Sequence, residues 1–230
     1  LPHSTDIREG DRLLTSGLDG RFPEGYPVAR VVRISQDASQ PFMLVYAEPY
    51  AQLDRILKHI LSSQHILHRD ELAWQLHIIN NDTIQNAFCT PGGFIYVYTG
   101  LMKFVESEDE LAGIIAHEVA HGDLRHSTDQ LTKQYGIQVL IALLTDSDSR
   151  LLADIGASLV QLSYSRSDES EADRYAVRYL KDTPYSPTAF ADFFQRMLQK
   201  DGNMGVFQFL STHPDPGNRV EKIKEEAMAN

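Results

Sequence analysis

The chain has 230 residues, of which 42% are hydrophobic and 23% charged, and its formal net charge is −11 at pH 7. This composition is typical of a globular protein. The acidity argues against a nucleic-acid partner, because phosphate contacts require a basic surface. A single cysteine, Cys89, excludes an internal disulfide and a thiolate-rich metal site.

Two features of the sequence bear on membrane association, the length of its apolar runs and the residue at which it begins. No apolar run reaches the ~18 residues that a membrane-spanning helix needs. The chain begins at Leu1 and shows no signal peptide. We therefore expect that a targeting segment, or a lipid or N-terminal membrane anchor, has been removed.

The first 52 residues differ from the rest, and we predict two domains, residues 1–52 and 53–230. Glycine and proline separate three short β-rich runs at residues 12–15, 28–34 and 42–46. Such alternation between turn signals indicates a small antiparallel sheet. Residues 6–30, from Asp6-Ile-Arg-Glu-Gly to Tyr26-Pro-Val-Ala-Arg30, resemble the end of the periplasmic β domain of the bacterial rod-shape scaffold MreC. The resemblance extends over roughly residues 6–55, a fragment of that domain.

The segment that follows predicts one helix and a small sheet. Apolar residues recur at helical spacing from Gln52 to His65, and residues 74–79 have the composition of a strand. Residues 86–100 indicate a hairpin of two strands joined by a Pro91-Gly-Gly turn. A free strand edge can bind an extended peptide by strand addition; alternatively, the strand only completes a sheet. The candidate substrate-binding residues are Asn86, Ala87, Phe88, Cys89 and Thr90.

Residues 106–121 predict a helix that carries metal ligands. Ser107 and Glu110 form a capping-box pattern at its start. His117 and His121 are four residues apart, so both imidazoles face the same side of the helix and can bind one metal ion. Glu118 follows the first histidine, where its carboxylate can reach a metal-bound water. This is the H-E-x-x-H pattern of zinc peptidases; the alternative is a solvated stripe of histidine and glutamate.

His126 is the next histidine, and we predict that it is not a ligand. The metzincin pattern would need glycine three residues after His121 and histidine six residues after it. Those two positions are Leu124 and Ser127. Further helices are predicted at residues 122–132, 138–144, 151–162 and 186–200.

The helix predicted to begin near residue 165 offers a third ligand. Glu169 and Asp173 lie one turn apart on the same face. Glu169 would complete a three-ligand site with an open position for water, and Asp173 could orient a ligating histidine. Glu171 is the rival ligand, about 200° around the helix from Glu169. The alternative is an acidic surface helix without a metal.

A rigid loop near the C-terminus presents two further candidate residues. His213 precedes Pro214, and the Pro-Asp-Pro-Gly run restricts the backbone. Arg219 falls in the first turn of the final predicted helix. Loops that present a histidine and an arginine are typical of functional sites; alternatively, this one only starts a helix.

Together, the three stretches resemble the HtpX-like zinc metallopeptidases, which include the CAAX prenyl endopeptidases, the mitochondrial Oma proteases and the periplasmic BepA and LoiP enzymes. The resemblance covers roughly residues 55–230. It implies an α+β fold, a mostly helical zincin-type metallopeptidase domain with a small β-hairpin or edge sheet beside the H-E-x-x-H helix. It also implies one Zn²⁺ per chain on His117, His121 and Glu169, with the catalytic base Glu118, a supporting acid Asp173, and His213 and Arg219 near the metal.

The resemblance further implies an endopeptidase that acts on misfolded or envelope proteins. Glu118 would take a proton from the zinc-bound water. His213 or Arg219 would stabilise the oxyanion, unless His213 is a fourth zinc ligand in the resting enzyme. The lack of spanning helices suggests the exported branch, in the bacterial periplasm or cell envelope. The alternatives are a catalytically quiet chaperone-like protein and a cell-shape scaffold.

Overall fold

The computed structural model describes residues 5–14, 27–35, 43–49, 51–136, 163–199, 209–214 and 218–229. The helices predicted at 138–144 and 151–162, and most of the Pro-Asp-Pro-Gly run, lie outside these residues. The chain divides into two units, Leu1–Ile56 and Leu57–Asn230.

The first unit contains the predicted antiparallel sheet. Its strands are β1 (Arg12–Leu14), β2 (Pro27–Ser35) and β3 (Leu44–Pro49). β2 is the central strand and pairs with both neighbours. Ala29 and Val31 are both buried, because residues two apart on β2 face the same side of the strand.

The second unit is mostly helical with one small sheet, as the family resemblance implies. Helix α1 (Ala51–Leu61) leads into it from the first unit. The sheet has the order β4-β6-β5, with β6 parallel to β4 and antiparallel to β5. Its strands are β4 (Gln75–Ile79), β5 (Ala87–Thr90) and β6 (Phe94–Tyr98). The other helices are α2 (Thr99–Phe104), α3 (Glu108–Asp123), α4 (His126–Tyr135), α5 (Arg166–Lys181), α6 (Ala189–Gln199) and α7 (Arg219–Met228). Within the described ranges, no helix has the length and apolar character needed to cross a bilayer.

Helix α3 is the centre of this unit. Ser107 Oγ accepts a hydrogen bond from Glu110 N, as the capping pattern predicts. In a complete capping box, the Glu110 side chain would accept a hydrogen bond from Ser107 N. Here Glu110 Oε2 accepts from Glu106 N instead. Every residue from 112 to 123 is buried. A helix buried on all sides must be covered by neighbours on all sides, and α3 packs against α5, α6, α4 and β5.

Two glycines allow close approach to α3. A Cβ atom on Gly113 would lie 2.9 Å from Phe190 N in α6, and one on Gly122 would lie 2.9 Å from Cys89 Sγ in β5. Real Cβ atoms essentially never come this close to a neighbouring atom, so any larger residue would force the neighbours to shift. The glycines therefore let α6 and β5 lie directly against the helix that carries the H-E-x-x-H residues.

The helix predicted at 122–132 is interrupted. α3 ends at Asp123 and α4 begins at His126, and between them Arg125 adopts a left-handed conformation with φ of +62°. In a continuous helix, His126 would point about 140° away from His121. The break changes this direction and brings the two rings together.

Asp123, the last residue of α3, connects this helix by hydrogen bonds to residues 67–68 and to α5. Its buried carboxylate accepts hydrogen bonds from the backbone N of Leu67 (2.9 Å) and His68 (2.7 Å), and from the hydroxyl of Tyr179 in α5 (2.7 Å). Burial and the Asp123 charge both raise the pKa of Tyr179 above its usual value, so this hydroxyl stays a donor.

We expect Tyr179→Phe to lower the free energy of unfolding by about 1.5–3 kcal/mol, because a buried carboxylate loses one of its donors. Urea unfolding followed by circular dichroism measures the change. Tyr175→Phe is the matched control, since Tyr175 lies on the same helix and is less buried. Equal unfolding free energies for the two variants would contradict this role of Asp123.

Candidate metal centre

Four buried side chains from three parts of the second unit converge on one point. His117 and His121 come from α3, Glu169 from α5, and His213 follows a helical turn at residues 209–212. All four side chains are fully buried, and one ligand atom from each lies within 4.8 Å of the others. Among the described residues, this is the one group able to hold a metal ion.

The separations between the ligand atoms fit a small tetrahedral ion. The Nε2 atoms of His117 and His121 are 3.0 Å apart, and His121 Nε2 is 3.3 Å from Glu169 Oε1. His213 Nδ1 is 3.3 Å from His117 Nε2 and 3.2 Å from Glu169 Oε1. A tetrahedral ion with bonds of ~2.0–2.1 Å needs ligand atoms about 3.3 Å apart. Imidazole nitrogen and carboxylate oxygen are also the donors that zinc takes in proteins.

Electrostatics favour the protonation states that metal ligands require at Glu169 and His121, but not at His117. Burial and Arg219 act to lower the pKa of His117, but the Asp173 and Glu169 carboxylates raise it to about 9, so a metal would have to displace a proton from this imidazole. Burial acts to raise the pKa of Glu169, but His213 and Arg219 hold it well below its usual value. Burial, assisted by His117, holds the pKa of His121 well below its usual value. An ionised carboxylate and a neutral imidazole are the forms that bind a metal.

Glu118 is a buried carboxylate beside this group. Among the described residues, neither of its oxygens has a hydrogen-bond donor, and Oε1 lies 3.4 Å from His213 Nε2. Burial raises the pKa of Glu118 above its usual value, although His213 and His117 oppose the shift. Leaving a buried carboxylate without donors costs stability. A carboxyl with a raised pKa next to metal ligands is typical of a catalytic base.

Asp173 and Arg219 lie behind the ligand atoms. Asp173 Oδ1 is 3.0 Å from His117 Nδ1 and accepts a hydrogen bond from Arg219 Nη2 at 2.6 Å. Arg219 Nη1 is 3.0 Å from Glu169 Oε2, and its guanidinium lies 3.9 Å from the ring centroid of Phe194. These contacts hold the Glu169 carboxylate and the His117 imidazole from their outer sides.

The start of α5 sets which acidic side chains face the group. Ser165 Oγ accepts from Asp168 N at 3.2 Å, and Asp168 Oδ2 accepts from Ser165 N at 3.1 Å. This reciprocal pair is a capping box, and its Ser-x-x-Asp pattern at residues 165–168 is visible in the sequence. With the helix start fixed, Glu169 faces α3 while Glu171 is half-exposed and paired with Arg174 at 3.2 Å.

Strand β5 contains four of the candidate substrate-binding residues, with Asn86 directly before it, and is an edge strand of the described sheet. Tyr98 N donates to Asn86 O at 3.0 Å. Because hydrogen-bonded pairs alternate along antiparallel strands, the backbone of Phe88 and Thr90 also faces β6. The backbone groups of Ala87 and Cys89 face the other way, toward the side of β5 that has no neighbouring strand in the described sheet.

The chain's own side chains occupy this side of β5, and all four residues of the strand are buried. Ala87 O is 3.3 Å from His213 Nε2, so one imidazole contacts both the strand and the ligand group. Cys89 O accepts a hydrogen bond from Ser127 Oγ at 2.7 Å. Ala87 N donates to the side chain of Asn86 at 2.9 Å.

Tyr164 and His126 contact the site but were not among the predicted site residues. The ring of Tyr164 stacks on His121, with centroids 3.7 Å apart, and its hydroxyl is 2.9 Å from Ser127 Oγ. His126 Nδ1 is 3.1 Å from His121 Nδ1. The position of Tyr164, directly before the capping residue of α5, is the only sequence signal that could have indicated it.

Comparison with known families gives two matches, one to each end of the chain, which overlap at residues 47–61. The model described as peptidase family M48 matches residues 47–227. The model described as the barrel core of the rod shape-determining protein MreC matches residues 1–61. The solved structure of MreC from Pseudomonas aeruginosa is 54% identical over a match that covers 20% of this chain and 30% of that chain, with a TM-score of 0.19.

Curated relatives are peptidases by name, and the OMA1 relatives are named metalloendopeptidases. The mitochondrial metalloendopeptidase OMA1 of Schizosaccharomyces pombe is 31% identical over 208 residues, which cover 84% of this chain and 60% of the relative. OMA1 of Arabidopsis thaliana is 32% identical over 161 residues, covering 70% and 33% respectively. The beta-barrel assembly-enhancing protease of Yersinia pestis is 27% identical over 168 residues, covering 67% and 34%.

The chain spans between about a third and 60% of the length of these relatives. The family model nevertheless matches well over half of the chain, and the matched segment contains the whole group of buried histidines and glutamates. The chain belongs to peptidase family M48.

Proposed function

We propose that this chain is a zinc-dependent endopeptidase that hydrolyses peptide bonds in polypeptide substrates. The observation that carries the proposal is Glu118, a buried carboxylate that has no hydrogen-bond donor among the described residues. It lies beside His213 and next to His117, so it faces the group able to hold a metal. Such a costly arrangement is expected where the carboxylate takes part in a reaction.

One zinc ion per chain would be held by His117, His121 and Glu169. When bound, zinc supplies an acidified water and polarises the carbonyl of the scissile bond. Glu118 takes a proton from the attacking water and passes it to the leaving amine, a role suited to its raised pKa. Asp173 accepts the Nδ1 hydrogen of His117 and so keeps the Nε2 lone pair directed at the ligand group.

His213 supplies the fourth ligand atom in this arrangement. This supports the alternative in which His213 is a fourth zinc ligand in the resting enzyme and keeps water from the metal, rather than a role at the oxyanion. Its Nδ1 completes the tetrahedral spacing while its Nε2 faces Ala87 O. A substrate that pairs with β5 needs the carbonyl of Ala87, so its arrival displaces His213 from the strand. The contacts of Arg219 with Glu169 and Asp173 support a role in orienting these carboxylates rather than in contacting the oxyanion.

The substrate would bind as an extended strand along β5. Its backbone would bond to Ala87 and Cys89, because these residues face away from β6, with which Phe88 is already paired. The side chains of His213, Ser127 and Asn86 that contact these backbone groups would have to move aside. Recognition through the backbone predicts broad side-chain selectivity.

We place the activity in the cell envelope, acting on misfolded or envelope proteins. Relatives carry the names beta-barrel assembly-enhancing protease and mitochondrial metalloendopeptidase, and residues 1–61 match a family of rod-shape proteins. The net charge of −11 supports a polypeptide rather than a nucleic-acid partner.

The test is cleavage of casein by the purified chain. We expect one zinc per chain by elemental analysis, cleavage that stops when 1,10-phenanthroline removes the metal, and recovery when zinc is restored. Cleavage that persists without metal would exclude the proposed mechanism. A zinc-loaded chain that cleaves no protein substrate would favour the catalytically quiet alternative.

A further inference from the structure

His121 has two ring nitrogens with different surroundings. Nε2 faces the group of ligand atoms, 3.0 Å from His117 Nε2, whereas Nδ1 faces outward and lies 3.1 Å from His126 Nδ1. His126 is buried at the start of α4, and its Nε2 lies 3.5 Å from Glu171 Oε2 on α5. The proposed reaction uses neither His126 nor Glu171.

The chemistry of imidazole sets the direction of these contacts. Two ring nitrogens at 3.1 Å form a hydrogen bond only if one donates and the other accepts. A neutral His121 that offers its Nε2 lone pair to a metal carries its hydrogen on Nδ1. His126 Nδ1 must then accept this hydrogen, which places the hydrogen of His126 on Nε2, the atom that faces the Glu171 carboxylate.

We infer that His126 and Glu171 form a relay, defined as the path from His121 Nδ1 through the His126 ring to the Glu171 carboxylate. The relay orients His121 and makes its Nε2 a stronger metal donor, so both are positioning residues for the proposed metal site, on which the inference rests. Partners of this kind fix the tautomer and the ring orientation of ligating histidines.

Helix α5 would then supply an orienting carboxylate to each of the two histidines of α3. It supplies Glu169 to the ligand group, Asp173 to His117, and Glu171 through His126 to His121. The two outer carboxylates differ in exposure, because the Asp173 side chain is 6% exposed and that of Glu171 is 44% exposed. Water can replace Glu171 but not the buried ring of His126, so the histidine should contribute more.

The test measures zinc affinity by competition with a chromophoric chelator on the full chain. His126→Phe keeps a ring but removes the acceptor, and we expect zinc binding about 10- to 100-fold weaker. His126→Asn places an amide oxygen near the position of Nδ1 and should recover most of the affinity. Glu171→Ala should weaken binding only a few-fold, and it should add nothing in the His126→Phe background, because Glu171 acts through His126.

Arg174→Ala is the matched control, because Arg174 contacts the same Glu171 carboxylate at 3.2 Å from outside the relay. It should leave zinc affinity unchanged. Melting temperatures of the zinc-free variants separate loss of affinity from loss of folding. If His126→Phe does not fold, His126→Asn and Glu171→Ala compared with Arg174→Ala decide the matter.

Three results would overturn the relay. The first is a folded His126→Phe chain with wild-type zinc affinity. The second is an effect of Glu171→Ala that is equally large with and without the His126 ring, since the two residues would then act separately. The third is zinc affinity equal in Glu171→Ala and Arg174→Ala. A wild-type chain that binds no zinc would instead remove the metal site itself, and this outcome is distinct from the other three.

Discussion

Replacing Glu118 by glutamine should leave zinc bound and reduce peptide hydrolysis by several orders of magnitude, roughly 10²–10⁴-fold or more. Glutamine has nearly the same size and polarity, but it cannot accept a proton from the attacking water. Glu118 is fully buried beside the ligand group. The two other carboxylates described at this site, Glu169 and Asp173, are paired with Arg219, so neither is placed to take over this step. Steady-state kinetics on a fluorogenic peptide, with elemental analysis of the same sample, measure both effects.

The control for this variant is Glu108→Gln, which makes the same chemical change in the first turn of the same helix. Glu108 Oε1 accepts a hydrogen bond from Tyr185, far along α3 from the ligand group. Its hydrolysis rate should stay close to wild type. A Glu118→Gln chain with near wild-type turnover would remove Glu118 from the role of base.

Glu169→Ala should abolish stoichiometric zinc binding, whereas Glu171→Ala should keep one zinc per chain at saturating metal. Glu169 lies within 3.3 Å of the ligand atoms of His121 and His213, and a site with three protein ligands and one displaceable histidine cannot lose its carboxylate. Glu171 points toward His126 and Arg174, so its removal leaves all the ligand atoms in place.

Elemental analysis after dialysis distinguishes the two variants, and circular dichroism confirms that each is folded. Removing Glu169 leaves Arg219 paired with Asp173, so the guanidinium keeps one charged partner and the fold should persist. Loss of zinc in the Glu171 variant alone would mean that the other glutamate is the ligand.

The parts of the site that follow from local helix geometry were predictable. His117 and His121 are one turn apart, as are Glu169 and Asp173, and residues four apart share a helix face in any fold. The mostly helical fold with a small sheet followed from the family resemblance, and the structure agrees with it.

The parts that depend on a backbone break or on distant segments were not predictable. The left-handed conformation of Arg125 carries no sequence signal, because non-glycine residues rarely adopt it. Helical periodicity alone predicts that the helix continues past residue 123, and in a continuous helix His126 would point away from His121. The contact between His213 and Ala87 joins residues 126 positions apart and depends on tertiary packing.

The placement of three acidic residues on α5 determines which sequence changes the site can tolerate. Glu169, Glu171 and Asp173 are directed by the phase of one helix, which the capping box at Ser165 fixes. A substitution removes one of these carboxylates, but inserting a single residue between Ser165 and Glu169 would turn all three by about 100° at once. We therefore expect insertions or deletions between Ser165 and Asp173 to damage the site far more than substitutions of the exposed residues in this segment.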